Sequence, residues 1–369
     1  MTSIALKAGA PSLLILWLAA CSQTDVVADL RSADAGPCPP PVTLPGEGSP
    51  QMRADRWFAH GLCNCADAAF SAPFVADGFD SRNGPYPTTS RAAAGIEIRG
   101  RLALSDTFRV DGDLTIGADI AASTDIIVQR NLAVDDALST DGRLEVGGDL
   151  SVNGALRASS LIVGGELRQP DGATRSVSGT VDVGTETFGA VSVESKCGCD
   201  GPLSFEDAIA AGEQSAENDE REIFANVDRD VTTTLACGVY AFSTLAGVAS
   251  VTLILEGPTQ IYVAGDISLG GLNVTLMPGA TLDLFVRDGW TQRGPLMLGD
   301  PARPSAARIF ADTTGTIRFG QPTQLYARVL APRAEFVATG DTEIHGSLFV
   351  RRIDSANRIT LHQDVNLSP

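Results

Sequence analysis

The chain has 369 residues, 45 of them Asp or Glu against 27 Lys or Arg, for a formal net charge of −18. So acidic a surface repels nucleic acid and anionic lipid headgroups, and neither is expected as a partner. The length suits about two ordinary domains, although a solenoid escapes that rule because it grows by adding turns.

The first element is a leader. A cation stands at Lys7, an apolar run follows from Ala8 to Ala20, and Leu-Ala-Ala-Cys closes it at Leu18–Cys21. The run is too short to span a bilayer and suits a signal-peptide core. Small residues ahead of a cysteine resemble the bacterial lipobox. That resemblance implies a signal peptide over 1–20 and a lipid on Cys21, which becomes the mature N-terminus. Ser22 in the following position implies sorting to the outer membrane, with the protein periplasmic or surface-exposed. Several acyl chains would hold it there stably, where one would be marginal.

Residues 21–50 are polar and rich in proline, and Pro39, Pro40 and Pro41 favour an extended polyproline arm. At about 3.1 Å per residue this tether could reach roughly 90 Å from the membrane. Residues 51–94, which carry Cys63 and Cys65, are expected to form an N-terminal cap.

Over 95–195 an apolar residue returns at every sixth position: Ile96, Leu102, Phe108, Leu114, Ile120, Ile126, Leu132, Leu138, Leu144, Leu150, Leu156 and Ile162. Two places after each stand residues such as Ile98, Leu104, Val110, Ile116, Val128, Val134, Val146 and Val152. A helix cannot hold a period of six, because 3.6 residues per turn would smear it around the cylinder. Residues i and i+2 share a strand face, and the Gly or Asp two further on, as at Gly100, Asp106, Gly112, Asp136, Gly142, Gly148 and Gly154, turns a corner cheaply. The pattern predicts an all-β parallel β-helix, a triangular solenoid with about eighteen residues per turn. Its coil is expected to be right-handed, as crossovers between parallel strands are. The left-handed hexapeptide acyltransferases are the rival, but 95–170 lacks their catalytic histidine and has Val or Ile where they want a small side chain.

A connector over 196–235 breaks the repeat. Gly201–Asp219 is rich in helix formers, with Phe205, Ala208 and Ile209 on one face, and predicts a short amphipathic helix between two β stacks. The second stack occupies 236–369. Val251–Val286 alternates apolar and polar residues between Gly and Pro turns. Leu325 and Leu348, like Phe336 and Ile359, are 23 residues apart, which suggests longer and less regular turns.

Apart from Cys21 there are six cysteines: Cys38, Cys63, Cys65, Cys197, Cys199 and Cys237. An even count in an exported chain predicts disulfides, with about fifteen pairings open. Cys197 or Cys199 is expected to bond Cys237, and Cys63 or Cys65 another of the six. A zinc site of four thiolates is the competing reading, but Cys-x-Cys is one residue short of the usual knuckle. The histidines are His60, His345 and His362. His362 and Asp364 could share a strand face, as an acid–base or a structural pair. No GxSxG, HExxH or phosphate loop occurs, so no catalytic residue, cofactor or metal is assigned. The corner residues Asp111, Asp113, Asp119, Asp125, Asp135, Asp136, Asp141 and Asp149 offer hard oxygens of the kind calcium takes. Solvated turn aspartates are the commoner case.

Residues 197–367 resemble an uncharacterised domain, of the DUF7305 type, of bacterial surface lipoproteins and pilus-associated proteins, especially of myxobacteria. The landmarks are CGCD at Cys197, END at Glu217, LACGVY at Leu235, IYVAGDISL at Ile261 and ATLDLFV at Ala280. LGDPARPSAARIF at Leu298, YARVLAPRAEF at Tyr326, HGSLFVRRI at His345 and LHQD at Leu361 complete the set. The family pattern often has an aromatic residue where Gln363 stands. By its period alone the hexad region is similar to bactofilins, the polymer-forming β-helical proteins. These resemblances imply a β-helical, exported, non-enzymatic protein, and no ligand. The lipid anchor, tether, regular solenoid and missing catalytic set together point to a lipid-anchored structural or adhesive module, its partner, a surface polysaccharide or a protein, left unidentified. A self-assembling or pilus-associated scaffold is the alternative, and a β-helical polysaccharide lyase or hydrolase a third reading.

Overall fold

Short strands separated by tight corners build the hexad region. The structure, a computed structural model, describes residues 25–27, 38, 57–87, 92–199, 204–216, 218 and 221–366. Strands such as Phe108–Val110, Ile126–Val128 and Leu132–Val134 bury their first and third residues and turn the middle one outward. Each pairs in parallel with the strand one turn on, Phe108 with Ile126 and Ile126 with Leu144. Eighteen residues therefore make one triangular turn, and the apolar positions form inward columns.

Side chains close the corners. Oδ1 of Asp113 accepts from the Asn131 amide, Oδ1 of Asn131 from the Asp149 amide, and Oδ1 of Asp149 from the Glu166 amide. Corner N–H groups lack a strand partner, and this ladder supplies one. It needs glycine beside it: a Cβ on Gly165 would lie 2.2 Å from Oδ1 of Asp149. Asp125 caps Arg143 in the same way, and Asp111, Asp119 and Asp141 pair with Arg109, Arg101 and Arg157. These six of the eight corner aspartates thus meet protein donors. Thr140, an inward polar residue, donates its hydroxyl to the Thr124 carbonyl and accepts from the Gly142 amide.

The strict repeat ends one strand early. Leu161 and Val163 are buried where Ile162 and Gly164 were expected, and Ile162 faces outward opposite Glu145. The turn from Leu144 to Leu161 is one residue short, and a slip of one residue exchanges the two faces of a strand.

Residues 231–364 also pair in parallel from turn to turn, with turns of uneven length. The expected 23-residue offset occurs between Thr259 and Leu282 and between Ile267 and Trp290. It does not occur where it was read: Leu325 pairs with Ile344, and Phe336 with Ile353. Those turns are shorter because their corners carry fewer inserted residues.

The two stacks are joined end to end in one solenoid of about 13 turns. The expectation of an N-terminal cap over 51–94 is corrected here. Leu62–Asn64, Ala68–Phe70 and Phe74–Phe79 form an internal turn whose one side pairs with Thr342–Ser355 and Ile359–Asp364 and whose other side pairs with Ala94–Ile98, Leu102–Leu104 and Phe108–Val110. The last strand of the chain thus lies beneath Phe74–Phe79, and one hydrophobic core runs through both stacks. At about 4.8 Å per turn the solenoid extends roughly 60 Å.

The tether over 21–50 is corrected at two points. Asp25–Val27 pairs in parallel with Val231–Thr233, covering an otherwise bare edge of the first turn, and Cys38 is bonded to Cys237. The lipobox lies outside the described residues. From the far end of the hexad stack, at Phe188, the chain returns along one outward face as a strap. That face presents the column Ala241, Tyr262, Phe285, Phe310, Leu330, Phe349, Cys63 and Glu97, each residue opposite the next in register. Glu97 is buried and accepts the amides of Lys196 (2.8 Å) and Cys197 (3.0 Å) and the Ser195 hydroxyl. Helix α1 (Glu206–Ser215) follows, with Phe205 against Phe310 and Ile209 in the same buried cluster. Asn218 then bonds both backbone groups of Ala241. The expected helix exists, but it lies beside the solenoid rather than between its stacks, because an outward apolar column needs cover.

All six cysteines are paired: Cys38–Cys237, Cys63–Cys197 and Cys65–Cys199. The expected bond from Cys197 or Cys199 to Cys237 is therefore corrected. The two Cys-x-Cys segments meet side by side because the strap crosses the internal turn at that height. With every one of these sulfurs in a disulfide, no thiolate is left for a zinc site.

Candidate functional site

The outward face next to the strap carries a group of buried titratable side chains. Strand Thr342–Ser355 alternates, so Glu343 and His345 point to the same side. One turn along the solenoid, His362 stands directly opposite His345 in register, and Asp77 opposite His362. Tyr326 precedes His345 in the same column. The result is a ladder Tyr326–His345–His362–Asp77, with ring centroids 4.7 Å apart at each of the first two steps. Tyr86, from the loop after Phe79, stacks on His362 at 3.8 Å and donates its hydroxyl to Asp77 Oδ2 at 2.9 Å.

The two imidazoles are only 5% exposed. Nδ1 of His362 lies 2.5 Å from Asp77 Oδ1, and because a carboxylate only accepts, that nitrogen carries the hydrogen. Nε2 of His345 is 2.9 Å from Glu343 Oε1, and Nε2 of His362 is 3.6 Å from the same oxygen. Burial, then neighbouring His362, pushes His345 down to about 4, against which Glu343 pulls weakly. Burial acting on Glu343 is outweighed by His345, Gln324 and His362, and its carboxyl sits below the usual range. The consistent pair of states at neutral pH is a neutral His345 beside an ionised Glu343. Burial and Glu343 together raise Tyr326. Glu343 borders a surface hollow of about 380 Å³ that Met297, Gln324, Arg358 and Thr360 also line. Glu343, His345 and His362 each offer one ligand atom, all within 4.8 Å of one another.

The expected partner of His362, Asp364, is not its partner here. Asp364 Oδ1 accepts from the amides of Ser81 and Asn366 instead, fastening the loop after Phe79 to the end of the chain. Gln363, where the family pattern often has an aromatic residue, bonds the Gly95 amide and the Ala59 carbonyl. His60 lies elsewhere, on the strap side, with Nε2 3.9 Å from Glu97 and its pKa lowered chiefly by burial. It lines a second hollow of about 420 Å³ with Asp113, Arg130, Asn131 and Lys196. Sequence reasoning missed Glu343, His345 and Asp77 as a group. The Glu-x-His alternation at 343–345 was the only local signal.

Residues 199–369 match a family model described as Domain of unknown function (DUF7305). No curated protein sequence matches the chain. Among solved structures, an ice binding protein from an Antarctic bacterium Flavobacteriaceae is similar at 11% identity over 87% of this chain and 99% of its own, with a TM-score of 0.19. No property of that protein is carried over.

Proposed function

We propose that the protein is a non-enzymatic structural rod at the bacterial surface, held to the outer membrane by a lipid on Cys21. The observation that supports this reading is the seating of Asp25–Val27, four residues after Cys21, on the first turn of a solenoid strapped along its side. An anchor at Cys21 would grip the rod by one end and present the hexad turns at the other. Two disulfides on the strap and a third at the base suit an oxidising compartment. The partner class that fits is a surface polysaccharide or protein. Fatty-acid labelling followed by membrane fractionation tests the anchor. Wild type should be labelled and sediment with membranes, and Cys21→Ala should be unlabelled. Equal labelling of both, or an unlabelled soluble wild type, overturns it.

A second reading, end-to-end assembly, has one observation of its own. The terminal strand Val181–Phe188 is exposed, with Val181 at 48% and Phe188 at 61%, and its outer edge is bare among the described residues. Bare parallel edges invite pairing. Filaments of the lipid-free protein in negative stain favour this reading, and single rods of roughly 60 Å favour the first.

A further inference from the structure

We propose that Glu343, His345 and His362 form a binding site for one divalent transition cation of the zinc type. The argument starts from donor and acceptor arithmetic. Asp77 takes the Nδ1 hydrogen of His362, which leaves Nε2 as the ring nitrogen open to a cation. That nitrogen lies 3.6 Å from Glu343 Oε1, and His345 Nε2 lies 2.9 Å from the same oxygen. Three ligand atoms from two adjacent turns therefore lie within 4.8 Å of one another, two of them on side chains nine-tenths buried.

The spacing suits a cation. A tetrahedral zinc with bonds of about 2.0–2.1 Å holds its ligand atoms about 3.3 Å apart, and the two observed separations lie on either side of that value. Two imidazoles and a carboxylate are borderline donors that select zinc-like ions over calcium or magnesium. Asp77 supplies the outer support that ligating histidines need, fixing the tautomer and ring of His362, and Tyr86 holds Asp77 in turn. To bind through Nε2, His345 moves its hydrogen to Nδ1, an atom without a hydrogen-bond partner among the described residues. Glu343, with 38% of its side chain exposed, opens the site to the hollow beside it, which provides the entry path and a fourth position for water.

The group at His60, beneath the strap, does not compete. His60 and Glu97 approach Cys197 there, but that sulfur is bonded to Cys63 and Glu97 is engaged by the strap.

The test uses the full chain with any affinity tag removed, stripped with EDTA and titrated with ZnCl₂ by calorimetry. One equivalent should bind. Glu343→Gln, His345→Gln and His362→Gln should each weaken binding at least about 100-fold, and Asp77→Asn, which acts through His362, by about 10- to 100-fold. His60→Gln should bind as the unmutated chain does. A Co²⁺-loaded wild-type chain reads the ligand set without any variant. Intense visible bands of a four-coordinate site are expected, and the pale spectrum of the hydrated ion overturns the proposal. So does the absence of saturable zinc binding, which would leave a proton shared between His362 and Glu343, or ligand variants that bind like wild type.

Discussion

Gly212 offers a test in which the usual sign of a substitution should reverse. In an exposed helix interior, Gly→Ala gains about 1 kcal/mol, because alanine restricts the unfolded backbone and glycine does not. Gly212, however, is buried in the second turn of α1, and a Cβ there would lie 2.2 to 2.4 Å from three ring atoms of Tyr262. The ring cannot easily withdraw. It stacks on Phe285 with centroids 4.8 Å apart and planes 9° from parallel, Phe285 stacks on Phe310, and the Tyr262 hydroxyl bonds Gln260. Overpacking of this kind costs about 1–3 kcal/mol. Set against the helix gain, Gly212→Ala should weaken the docking of α1 by about 1 kcal/mol, or about a fivefold loss of amide protection. A solenoid need not unfold in one step, so the assay is native-state hydrogen exchange of residues 206–215 rather than a global melt. In a Tyr262→Ala background the same substitution should become favourable, restoring protection by up to about 1 kcal/mol. Higher protection from Gly212→Ala in the unmutated chain would refute the reasoning, as would equal effects in both backgrounds.

The paired disulfides should behave non-additively. Cys63–Cys197 and Cys65–Cys199 each span 134 residues, so the first to form removes about 5 kcal/mol of chain entropy in the unfolded state, while the second closes a loop of only a few residues. Cys63→Ser with Cys197→Ser should shift denaturant stability little, and removal of both bonds should cost several kcal/mol; equal costs for one bond and two would contradict this. Acid should destabilise the metal-free protein through His345. Its folded pKa, about 4, is below the ordinary 6.5, so the unfolded chain takes up the proton first and stability is lost as pH falls through that interval. Thermal midpoints measured in chelating buffer should fall less steeply there for His345→Gln, and parallel curves would count against the assignment. Glu343, whose pKa is also lowered, contributes in the ordinary carboxylate range and below, a separate window.

Much of the fold was legible because its information is local. A three-residue strand and a corner recur every six residues, so each inward column from Ile96 to Ala158 can be read without knowing its neighbours. Even the internal turn carries the signature, Leu62, Ala68 and Phe74 with Asn64, Phe70 and Ala76 two places on. It escaped notice because the insertion from Asp77 to Ala93 interrupts the run. The helix was legible too, since Phe205, Ala208 and Ile209 mark its apolar face. What period cannot encode is which turn lies on which. After Asp25–Val27, which seats on the base, the chain starts coiling in the middle, climbs to Phe188, returns along the outside and coils the base last, so that Ile359–Asp364 closes under Phe74–Phe79. Cysteine pairing followed from the height at which the strap crosses, not from spacing, and Cys38 rather than a Cys-x-Cys residue met Cys237. The histidine cluster draws on residues 285 positions apart, His362 and Asp77, and on Tyr86 from the inserted loop. Pattern alone determined the inward faces of the strands, because burial there depends on period; only the closure of distant turns against one another decided the outward face and its chemistry.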